Sequence, residues 1–261
     1  MKRGYNVDDK GSLLIHSGNV VTATGSSRSD VLVRNGSIEA VAPGLHGATE
    51  DVDRVIDATG HWVMPGGIDT HTHLAHPIGR LGVTTADDFY TGTVAGAFGG
   101  VTTIVDFGLQ EQGGTLGEAR HQRLAMIAPD AVIDYGFHII VTDVNENVLS
   151  EMEGLINSGF PSFKIYMTYG DKKIGDDDLI RLMEVTAEHG GLIYAHCEND
   201  CAVTHLIERH LAEGKTGPAY HATSRPPEVE AEATNRAIML AELAGASICI
   251  AHVTSSGAAR H

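Results

Sequence analysis

Cysteine is scarce in this sequence. Its 261 residues hold three, Cys197, Cys201 and Cys249, an odd and sparse set that makes no disulfide framework and fits a reducing compartment. Positive charge is also short: 18 Lys and Arg stand against 34 Asp and Glu, a formal net charge of -16. That balance speaks against a phosphate-binding surface and makes nucleic acid a poor partner. Long apolar runs are missing. No stretch approaches the length of a membrane span, and the opening MKRGYNVDDKG has no apolar run after its two basic residues, so no leader is read there. The expectation is a cytoplasmic protein with neither a membrane nor a nucleic-acid partner. Tryptophan occurs once and histidine 15 times, a tilt towards metal or proton chemistry.

What is present is globular: 42% hydrophobic residues, 20% charged, and 31 glycines to serve tight turns, in a chain long enough for a buried core. Two regimes follow one another. From about Ser12 to Met64 short β runs alternate with turn residues. An Asn35-Gly36 pair between DVLV and IEAVA is a strong hairpin signal. Residues 1–64 are therefore expected to form a small antiparallel, β-sandwich-like module. After Pro65 the rhythm becomes apolar strand, then helix. The strands are GGIDTHTH, TTIVDF, AVIDYGFHIIV, SFKIYM, GLIYAHCE and ASICIAHVT, with helical stretches such as DDDLIRLMEVTAEHG and EVEAEATNRAIMLAELAG between them. Alternation of this kind predicts parallel βαβ units with both sheet faces covered, an α/β fold. Residues 65–261 read as about six units of a (β/α)₈ TIM-type barrel, which needs eight. The expectation is a barrel truncated before strands seven and eight.

The unusual residues of these strands lie at or near their C-terminal ends: His71 and His73 in THTHL, Asp106, Lys164, His196 in YAHCEN and His252 in IAHVTSS. Residues i and i+2 of a strand share a face, so His71 and His73, if they continue the first strand, present both imidazoles to one side. A parallel sheet gathers its C-terminal ends on one rim, where sites of this class form. Four histidines on one rim read as a metal site, since neutral imidazoles suit zinc and similar ions. Lys164 cannot coordinate as an ammonium. It is either a core lysine reaching towards the rim or a buried amine of depressed pKa that adds carbon dioxide to give an anionic carbamate ligand. Cys197 and Cys249 read as packing residues, and Cys201 as part of the following helix or loop.

These motifs resemble the amidohydrolase superfamily, and within it the cyclic-amidase branch of dihydropyrimidinases and D-hydantoinases. GGIDTHTHL, TTADDFYTGT, GGVTTIVDF, FKIYMTY, AHCEN, SRPPEVEAEA and AHVTSS carry the resemblance in order, from the β module to the last residue. It implies that His71 and His73 bind one zinc ion, that His196 and His252 bind a second, and that Lys164, as N6-carboxylysine, bridges the two. It also implies that Tyr169 donates a hydrogen bond to the oxyanion formed during metal-assisted hydrolysis of a cyclic amide or imide to an N-carbamoyl amino acid. Thr70 stands where proline is common in the branch. The branch's catalytic Asp, at the end of strand eight, has no counterpart. Asp106 and Asp69 are nearest by location and do not match its pattern. The expectation is thus a partial sequence, inactive alone, of an enzyme that acts on small molecules and is typically tetrameric.

Rivals remain. Allantoinases and dihydroorotases share the implied metal set, but ADDFY and SRPPEVEAEA favour the pyrimidinase branch. Non-catalytic, tubulin-interacting relatives have lost metal ligands, whereas all five donors are present here. A naturally short chain that binds metal or caps a partner would expose much apolar edge.

Overall fold

Along SLLIHSGNVV the buried residues are Ser12, Leu14, Gly18 and Val20, one face of a strand, whereas in SDVLVR the consecutive residues Ser29, Asp30, Val31 and Leu32 are all buried, so both faces are covered there. The computed structural model describes residues 11–45, 47, 52–78 and 82–261. Residues 1–10, where no leader was read, lie outside the described residues. The chain divides into two units, residues 1–67 and 68–261.

In the first unit β1 (Ser12–Thr22), β2 (Gly25–Arg34) and β3 (Ser37–Ala42) form an antiparallel meander. β4 (Arg54–Asp57) and β5 (Trp62–Val63) join by parallel pairing with β1. The β2–β3 turn falls at Asn35-Gly36 as the sequence suggests. Both residues have positive φ, 51° and 76°, the conformation of a two-residue hairpin whose twist matches its strands.

The second unit runs β6 (Gly67–Asp69), β7 (Pro77–Ile78), β8 (Val83–Thr84), α1 (Phe89–Phe98), β9 (Val101–Leu109), α2 (Leu116–Ile127), β10 (Asp134–Ile140), α3 (Glu146–Asn157), β11 (Ser162–Tyr166), α4 (Asp176–His189), β12 (Leu192–His196), α5 (Asp200–Ala212), α6 (Tyr220–Thr223), α7 (Pro227–Ala244) and β13 (Ser247–Ile250). Six strands form one sheet in the order β13-β12-β11-β10-β9-β6. The pairs from β9 through β13 are all parallel and in sequence order. These are six strands of the (β/α)₈ type, the first five each followed by at least one α-helix. The strand-helix rhythm of the sequence is borne out.

Local signals set the helix ends. Asp88 and Thr115 each close a capping box at the start of α1 and α2, satisfying backbone N–H groups that have no helical partner. α4 and α7 end on Gly190 and Gly245, both left-handed, a conformation open to glycine without steric cost.

The main core lies between sheet and helices. Ile104, Phe137, Ile139, Phe163, Ile165 and Ile193 project from the strands into Leu116, Met152, Leu179, Leu182 and Ala237 of the helices. The opposite sheet face carries a smaller cluster of Phe107, Ile140, Tyr194 and Ala251. Cys197 is buried and Cys201 exposed. Cys249, expected to pack, is exposed instead: β13 is the end strand of the sheet, paired on one side only by β12. No helix among the described residues is long and apolar enough to cross a membrane.

Candidate metal centre

The strand ends deliver the sequence-predicted donors to one place, though not by the simple route expected. β6 stops at Asp69, so His71 and His73 lie beyond it in an irregular segment. Strand alternation does not aim their rings. Asp106 on β9 does: its Oδ2 accepts the Thr72 hydroxyl at 3.0 Å and the Leu74 N–H at 2.9 Å, fixing the chain on both sides of His73. His196 is the last residue of β12 and Lys164 lies within β11. His252 comes two residues after β13, at a positive φ of 37°, a backbone strain that must be held by its surroundings. Glu230 of α7 supplies that hold, accepting the N–H groups of Thr254 and Ser255 at 2.8 and 2.6 Å.

The four imidazoles form two pairs. His71 Nε2 stands 3.2 Å from His73 Nε2, and His196 Nδ1 stands 3.1 Å from His252 Nε2. The His71 and His252 ring centroids are 5.4 Å apart, which joins the pairs. Two nitrogens bound to one tetrahedral zinc at ~2.0–2.1 Å are about 3.3 Å apart, so each pair has the spacing of donors to a common ion. Among the described residues no three His, Cys, Asp or Glu side chains converge to hold an ion by themselves. The donors are two pairs and a lysine.

Lys164 is the group that asks for an explanation. It is 1% exposed, and its Nζ has no hydrogen-bond partner. It lies 4.8 Å from the Tyr166 ring centroid and 5.1 Å from that of Tyr194. Burial drives its pKa down from 10.5 to about 7, because a desolvated ammonium is disfavoured. At neutral pH a large share is free amine, the form able to add carbon dioxide. Burial also lowers His71 and His73 to about 4, with further repulsion of protons from Lys164. Both rings are neutral donors at pH 7. This donor chemistry and the orphaned amine fit a pair of divalent ions.

Around the donors lie residues that motif reading did not single out. Tyr194 OH is 3.0 Å from His71 Nδ1. If His71 gave its Nε2 lone pair to a metal, its Nδ1–H would donate to that hydroxyl and orient the ring. Tyr194 stacks on His138, centroids 4.6 Å apart. His138 Nε2 donates to the Thr70 carbonyl at 3.0 Å and Nδ1 accepts from Ser162 Oγ at 2.6 Å. Tyr194 and His196 are two apart on one strand, and that spacing was the available signal. Tyr169 has φ 73° and its ring lies 4.9 Å from His196. With His196, His252 and Arg225 it lines a cavity of about 340 Å³.

The two carboxylates nearest by sequence are committed elsewhere. Asp106 faces α2, where it is ion-paired with Arg123, and Asp69 accepts the N–H of His71.

The model of the amidohydrolase family matches residues 62–254. The chain belongs to the amidohydrolase family. The D-hydantoinase of Ralstonia pickettii is 45% identical to this chain over 243 residues, 93% of the chain and 52% of that enzyme. The D-hydantoinase of Geobacillus stearothermophilus is 43% identical over 247 residues, 94% of the chain and 51% of the relative. Among solved structures, a dihydropyrimidinase from Brevibacillus agri superposes with a TM-score of 0.90 at 43% identity, covering 95% of this chain and 53% of that one. A crystal structure of a D-hydantoinase gives 0.90 at 40% identity, with 95% and 54% coverage. The chain thus spans about half the length of the relatives it matches, and the resemblance read from its motifs holds for the branch as well as the family.

Proposed function

We propose that these residues are the N-terminal part of a dinuclear-metal cyclic amidohydrolase, a hydantoinase or dihydropyrimidinase. It opens cyclic amides or imides such as dihydropyrimidines and 5-substituted hydantoins to N-carbamoyl amino acids. The observation that carries this reading is the pairing of His71 with His73 and His196 with His252 around an amine, Lys164, that is buried without a partner. In this reading residues 1–64 belong to a small β module and residues 65–261 to the catalytic barrel. The ions would be two zinc ions, held by the four histidines together with Lys164 as N6-carboxylysine.

When bound, two divalent ions supply Lewis acidity and an acidified water to the hydrolysis of a ring amide. The chain's own residues do the rest. His71, His73, His196 and His252 present neutral nitrogens, and the Lys164 amine becomes an anionic ligand once carboxylated. Tyr169, which lines the cavity beside His196, donates its hydroxyl proton in a hydrogen bond to the carbonyl oxygen as negative charge builds there. Proton delivery to the leaving nitrogen needs a carboxylate that is not already engaged. Asp106, Glu198 and Glu230 are each bound to donors within the fold, and the resemblance to the branch assigns this role to an Asp at the end of strand eight, which has no counterpart among these residues. The assembled enzyme is proposed to be a cytoplasmic homo-oligomer, a tetramer by likeness to its branch.

The test is a ring-opening assay on the full-length protein with dihydrouracil, 5-substituted hydantoins, allantoin and dihydroorotate. Turnover of the first two, abolished by Lys164→Ala, is expected. Turnover confined to allantoin or dihydroorotate, or full activity of Lys164→Ala, would overturn the reading.

A further inference from the structure

Glu198 lies two residues beyond β12 and is 12% exposed as a side chain, against 11% for His196 and 16% for Arg225. One of its oxygens, Oε2, accepts two hydrogen bonds: His196 Nε2 donates at 2.8 Å and Arg225 Nη1 at 3.0 Å. An ionised carboxylate only accepts. His196 therefore carries its proton on Nε2, and in the neutral ring the lone pair is left on Nδ1, the atom 3.1 Å from His252 Nε2. The opposite tautomer would bring two acceptors together at 2.8 Å and turn an N–H towards His252.

Arg225 arrives from a different part of the chain, between α6 and α7. Its guanidinium carbon also lies 5.4 Å over the ring of Tyr169, and that ring packs against His196 at 4.9 Å. One arginine thus touches both the carboxylate behind His196 and the aromatic ring in front of it. A surface ion pair would need no such arrangement. Here both donors converge on one oxygen at the back of a proposed metal ligand.

We propose that Glu198 and Arg225 form a positioning clamp: Glu198 fixes the tautomer and direction of His196, and Arg225 holds both that carboxylate and the ring of Tyr169. Both residues line the same cavity as His196 and Tyr169, and in this role they act through those two side chains. The inference rests on the proposed reading of the histidine pairs as metal donors and extends it to residues that the donor motifs leave out. Hydrogen bonds from carboxylates to ligating histidines are worth ~10–100-fold in metal affinity where they have been removed.

The experiment uses the full-length protein, with zinc titrated against a competing chelator and ¹⁵N-histidine NMR of the metal-free state. In the wild type the His196 signal is expected to show a protonated Nε2. Glu198→Ala should convert it to a mixture of tautomers and weaken one of two zinc equivalents about 10–100-fold, leaving the other unchanged. Glu198→Gln keeps an oxygen that accepts from Nε2–H, so it should retain most of both signatures. Arg225→Ala should have a smaller effect on zinc and should lower kcat with little change in KM, as Tyr169 loses its support. A Glu198→Ala protein with wild-type tautomer and zinc affinity overturns the clamp while leaving the metal reading intact. Equal loss of both zinc equivalents together with a lower metal-free melting temperature marks a merely structural residue and also overturns it. A wild-type protein that takes up no zinc overturns both readings.

Discussion

Arg123 and Asp106 form a fully buried ion pair that holds the His71–His73 segment from behind. The guanidinium donates to Asp106 Oδ1 from Nε at 3.0 Å and from Nη2, and it also donates to the main-chain carbonyls of Leu74 and Ala75. The second carboxylate oxygen holds Thr72 and Leu74. A charge pair on the helix side of the sheet therefore shapes the loop that carries two donors on the other side.

Breaking this pair from one side leaves a buried charge without its partner. Arg123→Met is expected to destabilise the protein by ~3–5 kcal/mol, and Asp106→Asn by a similar amount, since its NH2 group would face donors and leave the buried guanidinium without its counter-charge. Urea unfolding of the metal-free protein measures this. Zinc binding by the surviving folded fraction should fall first at the His71–His73 pair.

Lys164 is expected to be a stability liability retained for chemistry. In the metal-free, uncarboxylated protein its pKa is lowered from 10.5 to about 7 by burial. Between those values the unfolded chain binds the proton and the folded chain does not, so stability rises with pH from about 7 to 10.5. Lys164→Met removes an unsatisfied buried group. It should stabilise the metal-free protein by ~1–3 kcal/mol at pH 7, an advantage that fades as pH approaches 10.5, while it abolishes zinc bridging. Equilibrium unfolding at several pH values reads both.

A separate acid-side effect comes from buried histidines. Burial lowers His73 and His76 from 6.5 to about 4 and pushes His138 down as well. Below 6.5 the unfolded chain takes up protons that the folded chain refuses. The histidine contribution to the stability of the metal-free protein should therefore fall as pH drops from 6.5 to about 4 and level off below. His76→Leu should flatten part of that slope.

Tyr169→Phe keeps the ring on His196 and removes one donor. In the full-length enzyme kcat is expected to drop about 10²–10³-fold with zinc content unchanged, measured by steady-state kinetics beside metal analysis.

Much of this was legible in the sequence where the signal is local. Asn35-Gly36 fixes its turn through backbone conformation alone, and strand-helix alternation gives the parallel sheet. The donors were legible as residue types placed near strand ends. What carries them was not. The reach of β6 was overread, because the convergence of His71 and His73 comes from hydrogen bonds to Asp106, which no period of the chain encodes. Asp106 itself looked like a rim residue, yet its partner Arg123 sits on the facing helix. Glu198 lies inside the AHCEN motif, but its meaning depends on Arg225, 27 residues further on. The parallel addition of β4 and β5 to β1 is likewise a non-local pairing. Cys249 failed as a core residue because burial on a strand depends on what lies beside it.

The most direct test of the account is native mass spectrometry of the full-length protein with metal analysis, on the wild type and on His71→Ala/His73→Ala and His196→Ala/His252→Ala. The account predicts two divalent ions and the added mass of one carbon dioxide per subunit, one ion lost in each double variant, and no carbon dioxide in Lys164→Met. A wild-type subunit with neither metal nor adduct would contradict it.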